Sequence, residues 1–254
     1  MKIKGKVVVV TGGANGIGRA LCQRFSHEGA KSVTVVDIDE TEAKAVANEI
    51  GGFAVQCDVS KEDEMFHMVK QTEAKIGPVD FFFSNAGIMA DGGMEAPNEL
   101  WQRAWEIHVM AHVYAARAVI PHMIERGGGY FLLTSSAAGL LNRIGSSPYA
   151  VTKHATVGLA ENLAITYGDQ GIRVSVLCPQ AVRTAMIPDL NSARSVDNLL
   201  EPEEVAETVV KAINDEKFLI LPHPDVQTYM TRKVSDYDRW LSGMRRLKQR
   251  LQQR

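Results

Sequence analysis

Seven short runs of β-branched, aromatic and aliphatic residues recur along the chain, at 7–10, 33–36, 53–55, 81–83, 130–133, 174–177 and 218–221, with helix-like segments between them. None shows the polar alternation of a sheet with one wet face. Each therefore suits a parallel strand buried on both sides, and parallel neighbours need crossovers, which the intervening helices can supply. The expected fold is α/β: a single doubly wound parallel sheet of about seven strands with helices on both faces. Helical periodicity is clearest over 40–50, 61–76, 100–124 and 149–169, with Pro121 expected to interrupt the third. At 254 residues and 45% hydrophobic composition, the chain can bury one large core, so 1–224 reads as one domain. The remainder, 225–254, reads as a helical tail. There Trp240, Met244, Leu247 and Leu251 fall at helical spacing among Arg245, Arg246, Lys248, Arg250 and Arg254. Such a basic amphipathic helix packs on the domain or a neighbouring subunit, or else meets an acidic partner or membrane surface.

In a sheet of this kind ligands bind at the carboxyl ends of the strands. The residues that follow the apolar runs include Gly12, Asp37, Asp58, Asn85, Ser136 and Pro179. Gly12 opens the turn Gly12-Gly13-Ala14-Asn15-Gly16-Ile17-Gly18 between the first strand and a helix. Its Gly-x-x-x-Gly-x-Gly spacing is not the commonest dinucleotide fingerprint and by itself also suits a plain tight turn. Its setting points to a pyrophosphate resting on the helix N-terminus, where N–H groups lack intrahelical partners. An acidic residue, Asp37, ends the next strand about 20 residues on. A carboxylate there accepts from both ribose hydroxyls and repels a 2′-phosphate, which favours NAD over NADP. Asp37 could instead cap the following helix, and Arg19 could meet a phosphate or simply face water.

Tyr149 and Lys153 lie one helical turn apart, which puts a phenol beside an ammonium on one helix face and is expected to lower the phenol pKa. Alcohol oxidation needs a base for the hydroxyl proton while hydride leaves the same carbon. The glycine turn, Asn85-Ala86-Gly87, Ser136 and Tyr149-x-x-x-Lys153, in this order from about residue 4 to 221, resemble the short-chain dehydrogenase/reductase family, which has a Rossmann fold. The resemblance implies Tyr149 as acid/base, Ser136 as the hydroxyl that orients the substrate oxygen, and Lys153 as ligand of the nicotinamide ribose. It selects Ser136 over Ser135. It also implies that Gly12, Asn15, Gly16, Ile17 and Gly18 cradle the cofactor, that Asp58 and Val59 meet the adenine, and that Asn85, Ala86 and Gly87 line the adenine ribose side. Pro179, Val182 and Thr184 would hold the carboxamide end, and homo-oligomers, dimers or tetramers built on the two long helices, are expected.

Two positions depart from the family pattern. His108 stands where an asparagine usually anchors a water in the proton relay; it could hold the same water and add a step that titrates near neutrality, or merely pack. Gln180 follows Pro179 where glycine is common, which leaves the backbone path there open. Gln180 could also present its amide to the substrate.

Net charge of −2 gives no electrostatic reason to expect nucleic acid. No run approaches the roughly 18 apolar residues of a membrane span, so no stable insertion is expected. Cys22, Cys57 and Cys178 show no paired spacing for a metal or disulfide framework, which suits a cytoplasmic protein. The expected partner is a small molecule. Pocket walls should include Met89, Leu140, Leu141, Ile144, Met186, Ile187 and Leu190, with 186–200 as a covering loop and Arg143, Arg183 and Arg194 as possible anion contacts. The sequence thus points to an NAD(H)-dependent oxidoreductase for a secondary alcohol or ketone with a largely apolar body. The alternatives are a 3-oxoacyl-thioester reductase of the same family and a non-catalytic NAD(H)-responsive regulator.

Overall fold

A computed structural model describes residues 1–186 and 199–253. Seven strands, β1 (Val7–Thr11), β2 (Ser32–Asp37), β3 (Phe53–Gln56), β4 (Phe81–Ser84), β5 (Gly129–Thr134), β6 (Ile172–Leu177) and β7 (Leu219–Ile220), form one sheet in the order β3-β2-β1-β4-β5-β6-β7. All six pairings are parallel. Strand order reverses between β1 and β4, which opens a crevice at their carboxyl ends.

The continuous apolar runs are explained by what lies on each face. On β1, Val9 joins one core while Val8 and Val10 join the other; on β4, Phe82 and the pair Phe81 and Phe83 divide in the same way. Helices α1 (Gly16–His27), α2 (Glu40–Ile50) and α8 (Pro202–Asn214) cover one face, contributing Leu21, Phe25, Ala43 and Val209. Helices α3 (Glu62–Lys75), α5 (Ala111–Glu125) and α7 (Ser147–Tyr167) cover the other with Met65, Val119 and Ala160. A strand residue pointing either way is thus removed from water, and neither face tolerates a polar alternation.

The third expected helix is divided. It consists of α4 (Asn98–Trp105), a wide π turn over Glu106–Met110, and α5. Pro121 does not interrupt it, because α5 continues to Glu125. Proline removes the bond to the carbonyl four residues back, here that of Arg117, and both residues are exposed, so water can satisfy that oxygen. A short helix α6 (Ala138–Leu141) follows β5. The tail forms α9 (Asp225–Ser235) and α10 (Tyr237–Gln252). Lys233 of α9 donates to the Leu140 carbonyl of α6 (2.6 Å) and lies 5.0 Å from the Trp240 ring centre, tying both helices to the rim of the sheet. No helix among the described residues is long and apolar enough to cross a membrane.

Candidate active site

The glycine turn and the loop after β4 are built against each other. Gly12 has φ +64°, and a Cβ there would lie 2.9 Å from the Ala86 backbone, so this position demands glycine on both counts. Asn85 closes the contact: its amide donates to the Thr11 carbonyl (3.0 Å), its backbone N–H to Thr11 Oγ1 (2.9 Å), and its side-chain oxygen accepts from Thr134 Oγ1 (3.1 Å). Asn85-Ala86-Gly87 is thus a structural brace between β1, β4 and β5. Asn15, at the N-cap of α1, makes no side-chain cap bond, which leaves the first N–H groups of that helix open to an anion. Ile17 is partly buried just inside that helix start.

Asp37 ends β2 and accepts from the Ala14 N–H (3.1 Å) and the Asp39 N–H (3.2 Å). The cap of α2 is Asp39, which accepts from Glu42 N–H at 3.1 Å. Capping therefore does not account for Asp37, whose carboxylate is aimed at the glycine turn. Arg19 pairs with Glu49 (3.0 Å) on the surface. Asp58 Oδ1 is occupied by the Ser60 N–H (3.1 Å) and hydroxyl (2.7 Å), which starts the turn into α3, with Val59 buried beside it.

At the end of β5, Ser135 and Ser136 take different partners. Ser135 donates to the Lys153 carbonyl (2.8 Å), whereas Ser136 makes a long bond to the Pro179 carbonyl (3.3 Å) and accepts from the Ala138 N–H (3.1 Å). Lys153 is 3% exposed; its ammonium donates to the Thr134 carbonyl (2.9 Å) and lies 5.6 Å from the centre of the Tyr149 ring. Burial pushes its pKa down to about 8. The expected lowering of the phenol pKa is not found here. Burial holds Tyr149 above its ordinary value, opposed by the Ser136 hydroxyl and by the guanidinium of Arg143.

His108 sits in the π turn, fully buried, its ring edge-on to Tyr149 at 5.4 Å. One ring nitrogen bonds Thr152 Oγ1 (2.9 Å) and the other lies at the Ile88 backbone (3.0–3.1 Å), while its carbonyl accepts from Thr156 Oγ1 (2.6 Å). Burial, then the charges of Lys153 and His112, pushes its pKa down to about 2. The expected titration near neutrality is therefore corrected: His108 is a neutral brace between the 88 turn, α7 and the Tyr149 ring. Exchanging it for asparagine should leave the shape of the pH–rate profile unchanged between about pH 5 and 8, where a free histidine would titrate; loss of an inflection in His108→Asn would refute this.

Gln180 adopts no left-handed backbone, so glycine is not required there. Its N–H donates to His223 Nδ1 (3.2 Å), and His223 Nε2 lies 3.1 Å from the Ala181 carbonyl. His223, buried behind β7, is a support of this loop that the sequence reading missed; no spacing marks it, because it acts across 43 residues. Val182 is buried and bridges to Leu200, and Thr184 packs against Gly16, where a Cβ would approach its methyl to 2.8 Å. Met89, Leu140, Leu141 and Ile144 are partly exposed around the site, and Met186 is 42% exposed. The expected contributions of Ile187, Leu190, Arg194 and most of the 186–200 loop lie outside the described residues. Arg183 pairs with Glu201 (2.6 Å) rather than facing the pocket alone.

Ser136, Tyr149 and the buried Lys153 thus gather beyond the carboxyl end of β5, in a sheet whose strand order reverses beside the glycine turn. The family model for short chain dehydrogenases matches residues 6–195, and the chain belongs to that family. It is 36% identical over 229 residues to a 2,5-dichloro-2,5-cyclohexadiene-1,4-diol dehydrogenase of Sphingobium indicum, covering 84% of this chain and 91% of that one. A 1-deoxy-11-beta-hydroxypentalenate dehydrogenase of Streptomyces exfoliatus is 31% identical over 253 residues, covering 95% and 92%. A short chain dehydrogenase/reductase from Burkholderia phymatum, solved in complex with NAD, superposes with a TM-score of 0.87 at 25% identity over 94% of this chain and 96% of that one.

Proposed function

We propose that the chain uses NAD(H) to interconvert a secondary alcohol and a ketone with a largely apolar body, with Tyr149 as general acid/base. The observation that carries this reading is the convergence of Ser136, Tyr149 and Lys153 at the carboxyl end of β5, opposite the glycine turn. A nicotinamide bound there would supply the hydride acceptor for oxidation of the carbinol carbon and the hydride donor for reduction. Tyr149 as phenolate takes the hydroxyl proton: the substrate O–H bond breaks and the phenol O–H bond forms. Ser136 exchanges its long bond to Pro179 for one to the substrate oxygen, and Lys153 stabilises the phenolate and holds the nicotinamide ribose. His108 positions Tyr149 without exchanging a proton.

The residues fit a dinucleotide. The uncapped start of α1 with Gly12, Asn15, Gly16, Ile17 and Gly18 would take the pyrophosphate, Asp37 the adenosine ribose, Asp58 and Val59 the adenine, and Asn85, Ala86 and Gly87 the adenine ribose side. Pro179, Val182 and Thr184 would hold the carboxamide end, and Gln180 borders the substrate. NAD preference follows from the Asp37 carboxylate. Turnover should favour NAD over NADP by on the order of 10²-fold in kcat/KM, and Asp37→Ser should cut that ratio at least about tenfold. Measuring NADH formation with a panel of secondary alcohols tests the whole reading. Cofactor binding without turnover would favour the regulator, and strong NADPH preference would favour the thioester reductase.

The apolar wall residues support a substrate with an apolar body, as do relatives named for a cyclohexadiene diol and a hydroxypentalenate. A second copy of the chain is the proposed partner of the outer face of α4 and α7, where Trp105 (42%), Val151 (50%) and Ile165 (83%) stand exposed. A monomer in sedimentation velocity at micromolar concentration would contradict this.

A further inference from the structure

Two cations stand at the same distance from the Tyr149 ring. Lys153 Nζ is 5.6 Å from its centre, and so is Arg143 Cζ, at the mouth of the site. Arg143 belongs to the loop between α6 and α7, where its backbone is held by Asn142 and its guanidinium by two further contacts. Asn142, just before it, has φ +75° and ψ 167°, a region that ordinarily belongs to glycine, and its side-chain oxygen accepts the Arg143 N–H at 2.7 Å. The guanidinium reaches Met89 Sδ (3.6 Å) and Asp91 (3.5 Å). Asp91 is held in turn by Ser146 Oγ (2.7 Å), where the loop after β4 bridges to the start of α7. A strained residue beside a cation that lies over the ring of a reacting group marks this turn as a candidate for a functional role.

We propose that Arg143 is a second positioning cation for Tyr149, held at the pocket mouth so that the phenolate is stabilised from the solvent end while Lys153 stabilises it from the buried end. The inference rests on Tyr149 being the acid/base. The groups facing the phenol from the surrounding elements are Lys153 on α7, neutral His108 on the π turn, Ser136 and Cys178 at the ends of β5 and β6, and the Arg143–Asp91 pair from the two loops. Arg143 favours the charged phenol; Asp91 and Cys178 oppose it. Oxidation, which consumes phenolate, gains from Arg143 at neutral pH. Reduction, which needs the protonated phenol, does not.

The test requires no substrate. Tyrosinate absorbance of the NAD-loaded protein is titrated against pH, with the Tyr149→Phe protein subtracted so that only this phenol is read. Arg143→Met should move the midpoint upward by about half to one pH unit, the size of one partly screened unit charge at this distance, and Arg143→Lys should restore most of it. A Met variant that titrates with the parent overturns the proposal. So does a Lys variant that behaves like Met, since charge would then not be the agent. Failure of the acid/base reading is separable, because it would show as retained turnover in Tyr149→Phe whatever the titrations give.

Discussion

Tyr149→Phe is expected to lower kcat for alcohol oxidation by on the order of 10³-fold or more while leaving NADH affinity within about threefold of the parent. The change deletes one oxygen. The ring stays partly buried, keeps its edge contact with His108, and fits the same space, so the fold and the cofactor crevice have no reason to change. What is lost is the group positioned beside Ser136 to exchange a proton with the substrate, and its neighbours cannot replace it, since His108 is neutral and Lys153 is tied to the Thr134 carbonyl. The comparison needs steady-state NADH absorbance for turnover and a fluorescence titration for binding. Parental turnover in the variant would end the proposed mechanism, and a parallel loss of NADH binding would reassign Tyr149 to cofactor support.

The sheet was legible in the sequence because its signal is local. Buried parallel strands leave uninterrupted apolar runs, and each of the seven begins or ends within about two residues of the expected bounds. Helix α2 could be bounded from its aspartate cap and closing glycine. The π turn could not, because a wide turn keeps helical composition and depends on contacts from another element, such as Thr156 to the His108 carbonyl. The same holds for the charges of the site. Spacing placed Tyr149 beside Lys153, but only the surrounding packing decides whether proximity or desolvation governs the phenol, and desolvation wins in this structure. The family resemblance likewise made His108 a candidate pH switch, and full burial disfavours its charge. His223, and the approach of Arg143 to the Tyr149 ring rather than to an anion, were out of reach for the same reason, since both act through loops that meet only in the folded chain.

Removing the buried ammonium should separate activity from stability. Lys153→Met is expected to cut kcat by on the order of 10²-fold, because the phenolate loses its cation at the buried end and the nicotinamide ribose loses a donor. The thermal effect should run otherwise. A lysine whose pKa is about 8 when folded, against an ordinary value of 10.5 in the unfolded chain, binds fewer protons native than unfolded between those values, so native stability rises with pH through that window. Below it, the whole cost of keeping a charge out of water is present. Methionine fills the same channel without that cost and gives up only the bond to the Thr134 carbonyl. At neutral pH the variant should therefore melt within a few degrees of the parent or above it, and its melting temperature should lose the parent's rise between about pH 8 and 10. Calorimetry across pH beside steady-state rates reads both halves. Full activity in the variant would remove the ammonium from the mechanism, whereas low activity with collapse of the fold would make Lys153 a structural strut. Low activity in a protein as stable as the parent is the outcome that identifies a cation kept against the preference of the core for the sake of the chemistry.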